Sequence, residues 1–330
     1  MKTSVKYFRA VALPRPHLTA RCIAATALVL FAFSLGDTAQ AATRARSFRI
    51  PTADSQPISI VVGPDRNLWF TEQNRSQVAR ITPNGVITEF PTPTVSFPSG
   101  ITAGPDGNVW FSEGAAGQVA FITPEGEIEE ILFSSSGVAT GIVTGPDDNV
   151  WFIDVTGNKI WRLEIATRNL TSFTIPTPDS FPNDITVGGD GNLWFTEGGA
   201  GKIGRITTSG VITEFGSGLS LPFSIAGGPD GNVWFTQRFT TQIGKITPTG
   251  DFTFYPIPNT AEQIAPGFGN KLLFTEFGSD QIATITTDGV VSELGPFPNS
   301  APTGIVAGPS KTVWFLGYGS NRVFQVEIRR

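Results

Sequence analysis

The decapeptide G-P-D-G-N-V-W-F-S-E occupies residues 104–113, with near-copies at 188–197 (G-G-D-G-N-L-W-F-T-E) and 228–237 (G-P-D-G-N-V-W-F-T-Q). Its tryptophan recurs at Trp69, Trp110, Trp151, Trp194, Trp234 and Trp314, with Leu273 in the sixth place. The successive steps are 41, 41, 43, 40, 39 and 41 residues. A period of this length marks a repeat architecture, and the count is seven.

Each unit alternates short β-branched or aromatic runs with turn residues. In the second unit the runs are G-I-T-A (100–103), N-V-W-F (108–111), Q-V-A-F-I (118–122) and E-I-E-E (127–130), which predicts four strands. Asp-Gly pairs at 106–107, 190–191 and 230–231 mark the first turn, where glycine supplies the positive φ of a tight hairpin. T-P-x-G segments at 82–85 and 247–250 turn the third strand into the fourth. Four-stranded antiparallel sheets repeated about an axis make an all-β, seven-bladed β-propeller. The last unit runs out after its third strand, while residues 47–52 (S-F-R-I-P-T) nearly duplicate residues 172–177 (S-F-T-I-P-T). The N-terminal strand is therefore expected to complete blade seven and close the ring, leaving no strand orphaned.

Residues 1–41 differ in chemistry from the rest. Lys2, Lys6, Arg9, Arg15 and Arg21 precede an apolar run over 22–35 and an A-Q-A segment at 39–41, which reads as a secretory signal peptide. The run is shorter than the roughly 20 residues that a membrane span needs. The expectations are a leader over 1–41, one propeller domain over 42–330, a secreted or periplasmic location, no membrane span and a monomer. His17, Cys22 and Met1 are the only residues of their kinds and all lie in the leader. The exported part therefore offers no disulfide, thiolate, imidazole base or His/Cys metal site. Removing the leader's five bases and one acid takes the net charge from −5 to −9, the wrong sign for a nucleic-acid surface.

The segments W-F-T-E (194–197), G-K-I-G-R-I-T (201–207) and V-I-T-E-F (211–215), repeated from blade to blade, resemble the streptogramin B lyase (virginiamycin B lyase) family of seven-bladed propellers over residues 45–330. The resemblance implies a magnesium-dependent elimination that opens the ester link of a cyclic depsipeptide antibiotic. It implies a site built from a His opening blade six, a Glu and a His in an E-P-H-G motif opening blade seven, a later Glu in that blade, and a Tyr opening blade one. Those positions here hold Glu262, Ala301-Pro302-Thr303-Gly304, Tyr318 and Ile58. Every functional residue of the family pattern is replaced, and proton abstraction beside a carbonyl loses its base.

The residue just before each first strand is expected to line the mouth of the central channel, and it varies around the ring: Ile58, Ser99, Thr140, Asn183, Phe223, Glu262 and Thr303. A few polar groups beside an apolar wall suit a small-ligand pocket. The candidate ligand-binding residues are Asn183, Asp184, Phe223, Glu262, Gln263, Thr303 and Tyr318, and no catalytic or metal set is assigned. The first expectation is an exported binding or scaffold module taking a small-molecule or protein ligand at the channel mouth, without a cofactor. The alternative is a lyase or lactone-cleaving enzyme that uses carboxylate-bound Mg²⁺ or Ca²⁺. The acids after each W-F-x, Glu72, Glu113, Asp154, Glu197 and Glu276, are expected to pair across the sheet with Arg80, Arg162, Arg205 and Lys245. The turn aspartates Asp65, Asp106, Asp147, Asp190 and Asp230 are expected to be turn formers.

Overall fold

The computed structural model describes residues 44–328, so the expected leader lies outside the described residues. Those residues form seven four-stranded antiparallel sheets, six of them with strands in chain order. Blade four is typical, with strands at Pro182–Val187, Leu193–Glu197, Lys202–Ile206 and Ile212–Phe215. Its second strand is buried at all five residues and its fourth is half-buried. Both sheet faces are thus covered by neighbouring blades on the inside and less so at the rim. The first strands lie side by side around the ring, with that of blade seven (Pro302–Ala307) beside that of blade one (Pro57–Val62).

The seventh sheet departs from chain order as the duplicated hexapeptide requires. Arg44–Arg49 pairs antiparallel with Arg322–Glu327 as the outer strand of a blade whose other strands come from the C-terminal end. The duplication extends to individual bonds. Asn158 donates to the carbonyls of Ile175 and Thr177, and its Oδ1 accepts the N–H and hydroxyl of Ser180. Asn321 does the same to Ile50, Thr52 and Ser55. Phe48 stacks on Trp314 at 5.8 Å, as Phe173 does on Trp151 at 5.6 Å. The ring closes through the same contacts that join consecutive blades.

The recurring sequence D-x-N-x-W is explained by what a buried indole needs. Trp69, Trp110, Trp151, Trp194 and Trp234 are buried, and each donates its Nε1–H to the turn aspartate four residues earlier at 2.9–3.2 Å. The intervening asparagine binds the other carboxylate oxygen, at 2.8 Å for Asn192 on Asp190. The turn aspartates therefore hold the tryptophans as well as shaping the turn. Fourth-strand aromatics stack on the outer side of the indole, with Phe215 at 5.3 Å from Trp194 and Tyr255 at 5.1 Å from Trp234. The same aromatics press on the glycine of the next T-P-x-G turn. Gly250, at φ +97°, leaves no room for a Cβ against Phe215.

The third-strand bases do not pair with the W-F-x acids. In the sheet register Arg205 stands opposite Trp194, whereas Glu197 stands opposite Lys202 at the far end of the strand. Arg80, Arg205 and Lys245 instead lie 3.8–3.9 Å from the turn aspartates Asp65, Asp190 and Asp230 and 5.2–5.5 Å from the indole centroids. Arg205 also donates to the Pro248 carbonyl of the next blade. Asp190 and Asp230 are held below the usual aspartate range. Burial pushes them up, but the hydrogen bonds from asparagine and indole outweigh it. Replacing Asp190 with alanine is expected to destabilise the fold by about 1–3 kcal/mol, since it leaves a buried indole N–H without its acceptor. Chemical denaturation of Asp190→Ala against the parent checks this, and an unchanged midpoint would overturn it.

Candidate functional site

The channel mouth lies where the first strands begin, and its hollow is lined among others by Ile58, Ser99, Thr140, Asn183, Asp184 and Gln263. Several of these polar groups are already occupied by neighbouring blades. Asp184 accepts the Ser224 hydroxyl at 2.9 Å and the Ile225 N–H at 3.0 Å, both from blade five, and the Ile185 N–H at 2.9 Å. Burial pushes its carboxyl above the usual aspartate range, and these donors offset that rise only in part. Asn183 donates to the Phe223 carbonyl at 3.0 Å, and the Ser224 hydroxyl also lies 3.3 Å from Gln263. Thr303 is buried and donates to the Pro57 carbonyl at 2.8 Å, across the junction of blades seven and one. These four residues staple first strands together.

Phe223, Glu262 and Tyr318 sit differently. The loops joining second to third strands rise on the same face, and the residue four beyond each marker position runs Gln73, Gly114, Val155, Gly198, Arg238, Phe277 and Tyr318. The last three are large and consecutive around the ring. Arg238 forms an ion pair with Glu262, and its guanidinium carbon lies 3.6 Å from the Phe223 ring centroid. Phe277 meets Tyr318 edge-on at 5.9 Å. Arg238 borders two hollows. One, of about 270 Å³, lies against Phe239, Glu262 and Phe277; the other, of about 230 Å³, against Phe181, Asn183 and Phe223. Phe239 is 83% exposed and Phe181 60%. Exposed aromatics gathered on one face are unusual enough to point to a contact surface.

Arg238, Phe239, Phe277 and Phe181 are absent from the residues singled out by sequence. The signal was present: the loop that reads E-G-G-A (197–200) in blade four reads Q-R-F-T (237–240) in blade five. Only the fold shows that this loop overhangs Glu262 in the next blade.

The W-F-x acids form a separate group beneath the mouth-side loops. Glu72, Glu113, Glu197 and Glu276 are fully buried. Each lies near a fourth-strand acid of its own blade, Glu89, Glu130, Glu214 and Glu293 respectively. Where the second strand ends in Asp154, Gln237 or Gly317, the fourth-strand position holds Ser172, Phe254 or Ser47. The fourth-strand acids clasp the preceding inter-blade loop: Glu89 accepts the N–H and hydroxyl of Thr52, and Glu130 those of Thr94. Burial first, and then the charge of Glu89, pushes Glu72 up to about 8. The same causes take Glu197, facing Glu214, to about 8. In Glu113 burial, opposed by the Ser96 hydroxyl and reinforced by Glu130, gives about 7. Among the described residues no three His, Cys, Asp or Glu side chains converge as a metal site.

The sequence profile of the Virginiamycin B lyase family matches residues 35–218 and 169–329. The chain belongs to this family. The virginiamycin B lyase of Staphylococcus aureus is 32% identical over 87% of this chain and 100% of its own, with a TM-score of 0.82. A streptogramin B lyase structure is 29% identical over 87% and 98% of the two chains, also at 0.82. A catalytically inactive histidine-to-alanine variant of the S. aureus enzyme, solved with quinupristin, is 31% identical over 87% and 100%, again at 0.82. No curated protein matches the chain.

The raised carboxyls of this family member carry a pH signature. A group whose folded pKa is raised from 4.5 to about 7 or 8 stabilises the fold fully below the lower value, and that stabilisation is lost as pH rises through the upper one. The melting temperature should therefore fall between about pH 5 and about pH 9, and Glu197→Gln, which mimics the protonated acid, should flatten the fall. A melting temperature that rises over this interval would contradict the assignment.

Proposed function

We propose that this protein is an exported binding member of the virginiamycin B lyase family. In this reading it holds a small, largely apolar ligand bearing aromatic rings against Phe223, Arg238, Phe239, Phe277 and Tyr318, without performing the family's elimination. The observation that carries the reading is the Arg238–Glu262 pair seated on Phe223. Glu262 stands where the resemblance places the blade-six histidine, and one of its carboxylate oxygens is already engaged by the Arg238 guanidinium. No histidine occurs between residues 44 and 330. The inactive variant of the S. aureus enzyme, which also lacks a histidine, was solved with quinupristin. Holding a ligand and cleaving it are separable on this scaffold.

The magnesium that the resemblance implies does not fit the residues present. The Glu262 carboxylate at the mouth of blade six faces a cation, and that of Asp184 is closed by three donors. Export follows from the leader expected over 1–41. What remains at the mouth is a set of flat apolar surfaces with one guanidinium among them, suited to stacking and cation–π contact.

Quinupristin, incubated with the protein with and without Mg²⁺, is followed by mass spectrometry for ring opening and by calorimetry for binding. The expected result is binding and an unchanged ring under both conditions. Arg238→Ala should weaken binding by about tenfold, the loss typical of a central anchor. Linear product would restore the lyase reading. Absence of binding by quinupristin and by simpler lactones would reduce the protein to a structural propeller.

A further inference from the structure

Five side chains recur at the regular blade junctions, and in blade six all five are replaced together. In blade four they are Asp190, Asn192, Trp194, Arg205 and Phe215. The bond from the Gly267 N–H to the Lys271 carbonyl matches that from Gly188 to Asn192 and fixes the alignment of the two turns. Gly269 then stands for the aspartate, Lys271 for the asparagine and Leu273 for the tryptophan. Leu273 pairs with Thr284 as Trp194 pairs with Arg205, so a threonine replaces the base. The Leu294 N–H bonds the Ile282 carbonyl where Phe215 pairs with Ile203, so a leucine replaces the aromatic.

A cavity of about 550 Å³ opens where these groups are withdrawn, lined by Phe268, Lys271, Leu273, Thr284, Lys311 and Ile328. Leu273 and Thr284 are buried and form its floor, while Lys271 is half-buried and Lys311 exposed. Its volume falls in the range of about 300–1,000 Å³ typical of small-ligand sites. The charge is inverted relative to blades one, four and five. There an aspartate sits in the turn beneath a base; here the turn has lost its acid and gained a lysine. A second lysine comes from the turn of blade seven. Neither Lys271 nor Lys311 forms an ion pair among the described residues.

We propose that this cavity is a second ligand site, which takes a planar aromatic anion: a flat ring in the slot that an indole fills elsewhere, with its carboxylate between Lys271 and Lys311. Leu273 packs on Val313 and Phe315 of blade seven, the kind of face that the indoles meet in other blades, and the cavity is the space beyond its shorter side chain. The ammonium pair supplies the anion preference. The cavity lies at the turn between first and second strands, at the opposite end of the strands from the channel mouth, so it does not depend on the function proposed for that mouth.

Indole-3-acetate is the probe, with neutral indole and acetate as comparators, read by ligand-observed NMR and calorimetry. The expected result is binding of indole-3-acetate at least about tenfold tighter than either comparator, since both ring and carboxylate are used. Leu273→Trp with Thr284→Arg rebuilds the regular stack inside the cavity. It should lower that affinity by at least about tenfold in a variant that circular dichroism shows to be folded, with a lower melting temperature because Gly269 supplies no acceptor for the indole N–H. Lys271→Gln with Lys311→Gln should bring the acid down to the affinity of neutral indole. Arg238→Ala, on the other face, should leave binding unchanged. The proposal is overturned if the parent protein does not bind the acid, if the folded Leu273→Trp, Thr284→Arg variant binds it equally well, or if Arg238→Ala abolishes binding.

Discussion

An indole buried between two sheets must find an acceptor for its N–H, and much of this architecture follows from how that acceptor is supplied. The turn aspartate takes the proton, the asparagine two residues on orients the aspartate, and a third-strand base balances the charge while lying over the ring. The base then donates to a carbonyl of the next blade. Satisfying one buried donor thus fixes a turn, a strand register and an inter-blade contact. This is why D-x-N-x-W recurs as a block. Blade seven meets the same need by other means, with the Thr312 hydroxyl accepting from Trp314 at 2.8 Å.

This coupling made the fold legible in the sequence. The tryptophan spacing gives the blade count, and the copied hexapeptide at 47–52 gives the ring closure, because local sequence and global packing demand the same residues. The partners of the W-F-x acids were not legible, since acids and bases recur at the same period and only the sheet register shows that Arg205 faces Trp194 and not Glu197. The mouth was half legible. Its varying positions could be named, but whether a polar side chain faces a ligand or a neighbouring blade depends on geometry between repeats. Asn183 and Thr303 turned out to bond backbone carbonyls of the next blade, whereas Glu262 meets an arginine reaching over from blade five.

The buried acids show the same division between what serves the frame and what departs from it. A second-strand glutamate occurs in the four blades that carry a fourth-strand glutamate and in none of the other three. A buried carboxyl beside a carboxylate is tolerable when it is protonated, because burial and the neighbouring charge both favour the neutral form. The fourth-strand member stays free to accept from the inter-blade loop. Blades three and seven, which lack the pair, place Trp161 or Phe324 on the third strand where four-acid blades have Ala79, Ala120, Gly204 or Ala283, and these rings stack on Phe152 and Phe315. Acid pair and aromatic stack are alternative fillings of one space.

The departures from the frame fall in adjacent blades. Arg238, Phe277 and Tyr318 replace small or polar loop residues on the mouth face of blades five to seven, and the indole stack is withdrawn on the opposite face between blades six and seven. A repeat protein can bear such a loss because each junction contributes its own nearest-neighbour stabilisation and the others remain intact. Relief from frame duty would account for Leu273 alone. It does not by itself account for the simultaneous change of the aspartate, asparagine, base and aromatic into a set that leaves a cavity open, nor for the two lysines gathered beside it, which form no ion pair among the described residues. Large apolar groups able to collapse into the gap would have restored packing more directly.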